Sequence, residues 1–97
     1  MRTMMKVEIP VEAGNKGIKD GSLPETINAV FAKIQPEAAY FTTSEGSRCA
    51  YVFFDLADST DIPSIAEPFF QNLDATIEFS PCMNQDDLQA GLAKFAG

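Results

Sequence analysis

Three ionisable side chains are the strongest candidates for chemistry in this sequence: Lys6, Glu8 and Glu78. Each lies in a short segment that alternates apolar and polar residues, so each is predicted on the polar side of a strand. Two carboxylates and an ammonium in a partly enclosed site can raise the pKa of one carboxyl group and create a general acid or base. We therefore predict Glu78, Lys6 and Glu8 as candidate catalytic residues. The alternative is a structural ion pair across two strands.

A second group of side chains is suited to binding. Aromatic and hydroxyl groups that alternate with core residues along a strand can line an apolar pocket that has a few polar contacts. The predicted ligand-binding residues are Tyr40, Thr42, Tyr51, Phe53 and Ser80. The alternative is packing in a dimer interface, where Tyr and Phe are enriched, and the two roles are compatible.

Two further patterns have simpler explanations. Residues 14–21, GNKGIKDG, place glycines and lysines before a helix, where a phosphate or carboxylate could bind. They match neither the P-loop nor the dinucleotide fingerprint, so we expect an irregular connection over residues 11–21 with at most one helical turn, near Val11–Lys16. The second pattern is the segment that contains Asp55, Asp58 and Asp61. An EF-hand loop needs acids at alternate positions and a glycine, and this segment has neither, so we expect these residues to cap a helix.

The sequence contains no histidine and no tryptophan. The absence of histidine excludes His–carboxylate metal sites, Ser-His-Asp triads and Cys-His dyads within the chain, and we predict no metal and no cofactor. Cys49 and Cys82 form no CxxC pair. We expect them at the same end of the sheet but two strands apart, about 9–10 Å, and therefore as free thiols.

Net charge and its distribution limit the partners. The chain of 97 residues has a net charge of −7, and residues 49–97 contain Lys94 as their one basic side chain. Because binding to phosphates needs Lys and Arg, we expect no nucleic-acid partner and no anionic membrane partner. No apolar run is long enough for a signal peptide or a transmembrane helix, so we predict a cytoplasmic protein.

Periodicity predicts one α+β domain over residues 1–97, with the element order β-α-β-β-α-β and an extra C-terminal helix. The predicted strands are 3–9, 38–43, 48–56 and 74–80, with a turn at 44–47. One helix begins at Ser22 with a capping box to Glu25, and the last begins at Asn84 with Asp87 three residues later. A second helix follows residue 61, and Pro68 is expected to kink it.

Two right-handed crossovers around a hairpin give a ferredoxin-like antiparallel sheet in the order 4-1-3-2, with helices on one face. The residues expected to face the helices are Met5, Val7, Ile9, Ala39, Phe41, Ala50, Val52, Phe54, Ile77 and Phe79. The other side of the sheet, here called the open face, is predicted to carry Met4, Lys6, Glu8, Tyr40, Thr42, Cys49, Tyr51, Phe53, Asp55, Thr76, Glu78, Ser80 and Cys82. This face is too aromatic for plain solvent surface and too polar for a dry core.

The layout and the stretch AYFTTSEGSRCAYVFFDLADSTDIPSIAEPFF, residues 39–70, resemble small bacterial members of the dimeric α/β-barrel superfamily. The resemblance implies that two ferredoxin-like subunits place their open faces together and form a barrel. The superfamily includes monooxygenases, muconolactone isomerases, haem-using enzymes and proteins without an assigned function. No catalytic residue can be carried over position by position.

Three functional hypotheses follow for a homodimer joined through the open face. The first is a protein that binds a small organic molecule in the cavity between the sheets. The second is a cofactor-independent oxygenase- or isomerase-like enzyme that acts on a small aromatic or carbonyl compound. The third is a structural dimer without a ligand. A solvent-containing cavity separates the first two from the third.

Overall fold

In the computed structural model, which describes residues 1–97, four antiparallel strands form one sheet with helices on one side. The elements are β1 (Arg2–Ile9), α1 (Val11–Asp20), α2 (Ser22–Ile34), β2 (Ala38–Ser44), β3 (Ser47–Asp55), a short 3-10 helix (Ser59–Asp61), α3 (Ile62–Leu73), β4 (Thr76–Pro81) and α4 (Gln85–Ala96). The strand order is β2-β3-β1-β4, which is the predicted order 4-1-3-2 counted from the other edge. The α+β class and the sheet order are therefore confirmed, and they are consistent with a ferredoxin-like fold.

The core lies between the sheet and the two helices α2 and α3. Alternate residues of β1 point toward the helices, and Met5 and Val7 are almost completely buried. Phe54 of β3 packs edge-on against Phe79 of β4, with ring centroids 6.5 Å apart. Phe69 of α3 is buried in the same cluster. Burial of the apolar side of each element is what fixes the sheet face that the helices cover.

The irregular connection expected over residues 11–21 is wrong, because most of this segment is the helix α1. Gly14 and Gly17 are buried on its inner side. A Cβ added to Gly17 would lie 2.9 Å from a side-chain carbon of Leu73 and 3.0 Å from the Cβ of Leu23. The glycines therefore allow close packing of α1 on its neighbours and do not mark an irregular connection.

The two predicted helix starts, at Ser22 and at Asn84, have different outcomes. Asn84 and Asp87 form the expected reciprocal pair at the start of α4, with N–H donors 2.8 and 3.1 Å from the side-chain oxygens. At α2 the prediction is wrong, since Ser22 is already helical and the preceding Gly21 forms no side-chain cap. Instead, the backbone N–H of Ser22 donates to the carboxylate of Asp20 at 2.8 Å.

A hairpin turn joins β2 to β3 at the predicted position, residues 44–47, but the strands extend to Ser44 and Ser47 and leave two residues between them. Ser44 pairs with Ser47, and the residues between them, Glu45 and Gly46, have φ angles of 51° and 81°. Two consecutive positive φ angles define the type I′ turn, whose twist matches that of the strands it connects.

Gly46→Ala is expected to lower the free energy of unfolding by about 1 kcal/mol, because a Cβ is disfavoured at a left-handed φ. Urea denaturation measures the change. Gly91→Ala is the matched control, since Gly91 lies inside α4 with open space around it and alanine is the better helix former. Equal losses in the two variants would show that the turn geometry does not matter.

The last two helices, α3 and α4, differ in how they pack on the rest of the chain. Pro68 lies inside α3, which runs as one helix to Leu73. The helix α4 contains no buried residue, and Phe95 near its end is 91% exposed. The radius of gyration is 15.3 Å, against about 13 Å for a compact 100-residue domain, so α4 extends away from the body. None of the helices has the length and apolar character that crossing a membrane requires.

Candidate functional site

The open face brings the predicted binding residues together in rows across the sheet. In one row Tyr40 lies opposite Tyr51, which in turn lies opposite Lys6 on β1. In the next row Phe53 lies opposite Met4, and Met4 lies opposite Ser80. Side chains directly opposite each other on one sheet face are about 5 Å apart and touch.

The five predicted binding residues differ in exposure. Tyr51, Phe53 and Ser80 are half-buried by their neighbours on the sheet, whereas Tyr40 and Thr42 lie on the edge strand β2 and are exposed. No helix covers this side of the sheet. The result is an aromatic surface in the middle of the face, with hydroxyl groups toward both edges.

The three predicted catalytic residues are also neighbours. Lys6 lies directly opposite Glu78 across the β1–β4 pair. Its ammonium group, however, contacts the other carboxylate, with Lys6 Nζ 3.3 Å from Glu8 Oε1. Glu78 forms no ion pair. Together with Glu45 and Thr76, the three side chains line a polar depression of about 290 Å³ at one end of the open face.

Contacts within this depression favour the charged forms of Glu8 and Lys6. The Ser44 hydroxyl and the Lys6 ammonium lower the pKa of Glu8, and they outweigh the opposing effect of partial burial. Glu8 in turn raises the pKa of Lys6. A carboxyl group with a lowered pKa is a poor proton donor at neutral pH. For Glu8 and Lys6 the arrangement is therefore that of a structural ion pair.

The stability of the protein is expected to depend on pH through Glu8. Its pKa is lower in the folded chain than the ordinary value of 4.5, so its contribution is complete above that value and is lost as the pH falls through the folded pKa. The difference in unfolding free energy between the wild type and Glu8→Gln should therefore shrink between neutral pH and pH 3 to 4, as measured by urea denaturation. Ser44→Ala removes one of the groups that lower this pKa, so Glu8→Gln should destabilise the Ser44→Ala variant less than it destabilises the wild type. A loss of stability in Glu8→Gln that grows in acid would contradict the assignment.

The two thiols are free, as predicted, but their positions differ from the prediction. Cys49 lies opposite Glu8, whereas the backbone of Cys82 bonds to that of Arg2 at the other end of β1. They therefore lie at opposite ends of the sheet. Cys49 is buried although it belongs to the open face, and burial, followed by the charge of Glu8, raises the pKa of its thiol. A thiol with a raised pKa is a weak nucleophile.

Two features were missed at the level of sequence. Arg2 of β1 forms ion pairs with Glu37, just before β2, and with Asp87 in α4, since its guanidinium lies 2.7 Å from both carboxylates. Phe41 was expected under the helices but is 60% exposed, since it lies on the edge strand β2 and Phe31 of α2 covers it only in part. The alternation along β1 places Arg2 on the side of Lys6, but a sequence pattern does not show which acids approach it.

Comparison with known proteins supports the fold alone. No protein-family model matches the sequence, and no curated protein matches it. Among solved structures, the chain is similar to a de novo designed protein, Ferredog-Diesel, with a TM-score of 0.51 and 7% sequence identity over 84% of this chain and 85% of that one. An identity this low means that the shared property is the arrangement of strands and helices.

Proposed function

We propose that the protein acts as a homodimer that binds a small organic molecule between the open faces of two sheets, in the manner of a dimeric α/β barrel. The observation that carries the proposal is the open face itself. Tyr51, Phe53 and Met4 form a contiguous aromatic and apolar surface that no element of the same chain covers. Soluble monomers rarely leave such a patch in water.

A second copy of the chain is a suitable cover for this face. A two-fold axis would bring identical faces together, which makes the interface self-complementary. The apolar side chains of Leu88, Leu92 and Phe95 on α4 are also exposed, so further apolar surface is available for association.

The chemistry of the face suggests the class of ligand. Aromatic rings at the centre would contact a planar apolar body, while hydroxyl groups such as Ser80 and Thr42 would satisfy one or two polar groups. The acids Glu8 and Glu78 would disfavour an anionic ligand at their end of the face. We therefore expect a neutral, partly aromatic molecule.

Native mass spectrometry of gently purified protein tests the proposal directly. The expected result is a dimer that carries an additional small mass, released on denaturation. A monomer at micromolar concentration would contradict the proposed assembly. A dimer without an added mass, and without affinity for aromatic compounds, would favour the structural dimer over the binding protein.

Catalysis on the bound molecule is the second candidate, favoured by the position of Glu78 opposite Lys6 without an ion pair of its own. A free carboxylate beside a ligand cavity can act as a general base. If the molecule found in the dimer is converted to a product, Glu78→Gln should stop the conversion and leave binding intact. Unchanged turnover in that variant would remove Glu78 from the reaction.

A further inference from the structure

A second cavity lies on the helix side of the sheet, away from the open face. It has a volume of about 140 Å³, and ten of its twelve lining residues are hydrophobic. Leu23, Ile27 and Phe31 of α2 form one wall, and Phe41 of β2 forms part of the other. An apolar cavity of about 150 Å³ with a similar lining is large enough to bind benzene. The space therefore fits one aromatic ring.

Two phenylalanine rings border the cavity at the edge of the sheet. Phe31 and Phe41 face each other across α2 and β2, with ring centroids 6.3 Å apart. Phe41 is 60% exposed, so the cavity lies near the protein surface at this edge.

The aliphatic stem of Arg48 also lines this cavity, and its guanidinium, which lies against α1 beside it, has no acidic partner. Its guanidinium donates to the side-chain oxygen of Asn15 at 3.0 Å and to the backbone carbonyl of Val11 at 3.4 Å. The chain has fourteen acidic side chains, yet none forms an ion pair with Arg48. A guanidinium has five N–H donors, so donors remain for an anionic group.

The Arg48 guanidinium packs against a glycine of α1. A Cβ added to Gly14 would overlap Nη1 of Arg48, so a larger residue at this position would displace the guanidinium from where it lies. The half-buried Arg48 is therefore held between α1 and the cavity by packing as well as by hydrogen bonds. Ordering an arginine before a ligand arrives reduces the entropy lost on binding.

The geometry points to a binding site for a small aromatic carboxylate, with its ring in the apolar cavity and its carboxylate on Arg48. The charge on Arg48 selects the anion, and the volume limits the apolar part to about one ring. This site is separate from the cavity proposed between the paired sheets. It needs one chain only, so it does not depend on dimerisation.

Methyl NMR titration with benzoate as the probe tests this inference. Benzoate should shift the Ile27 methyl resonances of the wild type and should bind at least about tenfold more tightly than benzamide, its neutral analogue of the same shape. This comparison requires no mutation. Shifts absent from Ile27, or equal affinities for the two compounds, would overturn the proposal.

Arg48→Met keeps the aliphatic stem and removes the charge. It should weaken benzoate binding at least about tenfold and leave benzamide binding unchanged. Lys33→Met is the matched control, because Lys33 is exposed on α2 and does not line the cavity. Equal weakening by both variants would reduce the effect to net charge and overturn the role of Arg48. Failure of the open-face dimer would leave these results unaffected.

Discussion

Phe53→Glu is expected to convert the proposed dimer into monomers at micromolar concentration. Phe53 lies near the middle of the open face, between Ala38 and Met4, with no cation directly opposite to neutralise a new carboxylate. An unpaired charge buried in an interface costs about 3–5 kcal/mol, which corresponds to a dissociation constant at least about 100-fold higher. Sedimentation velocity over a concentration series measures the change.

Two variants separate this effect from its alternatives. Phe53→Leu keeps an apolar side chain and should retain the dimer. Asn28→Glu adds the same charge to an exposed position of α2, away from the open face, and should also retain it. If Phe53→Glu and Asn28→Glu associate equally well, the open face is not the interface.

Phe54→Ala should have the largest effect on folding. Its side chain is 1% exposed and contacts Phe79 in the core. Removing a buried aromatic ring leaves a cavity and costs about 3–5 kcal/mol. Because domains of this size are stable by about 5–15 kcal/mol, much of the total would be lost. Urea denaturation followed by circular dichroism measures the loss.

Phe70→Ala is the control for this prediction. Phe70 is the next residue after the buried Phe69 on α3, but it is 38% exposed. Removing its ring therefore eliminates less buried apolar surface than removing the ring of Phe54. We expect a clearly smaller loss than for Phe54→Ala. Losses of similar size would mean that the core does not lie where the sheet and helices enclose it.

The two central strands, β1 and β3, were predictable because each has a buried side. Alternation in β1 identified Met5, Val7 and Ile9 as core residues, and a one-residue error would have placed all three in solvent. The helix α1 was not predictable in this way. Its inner side uses Gly14 and Gly17, whose absent side chains carry no apolar signal, and their role depends on how closely α2 and α3 approach.

The candidate site was predictable only in part. Strand order placed Lys6 beside both Glu8 and Glu78, but the choice between an ion pair along β1 and one across to β4 depends on side-chain rotamers. The cavity beside Arg48 was missed for another reason. Its walls come from α2 and from three strands of the sheet, and no local pattern reports the lateral position of a helix on a sheet.

The uncovered helix α4 has a consequence for amide hydrogen exchange. A twelve-residue helix without tertiary packing is marginal in water, and α4 has its capping box and the Arg2–Asp87 pair to hold its first turn. Its backbone amides should therefore exchange first, with protection that decreases from Leu88 toward Phe95, while those of β1 exchange last. Any partner that covers the apolar side of α4 would slow this exchange, so the rate at Leu92 reports occupancy of that surface in solution.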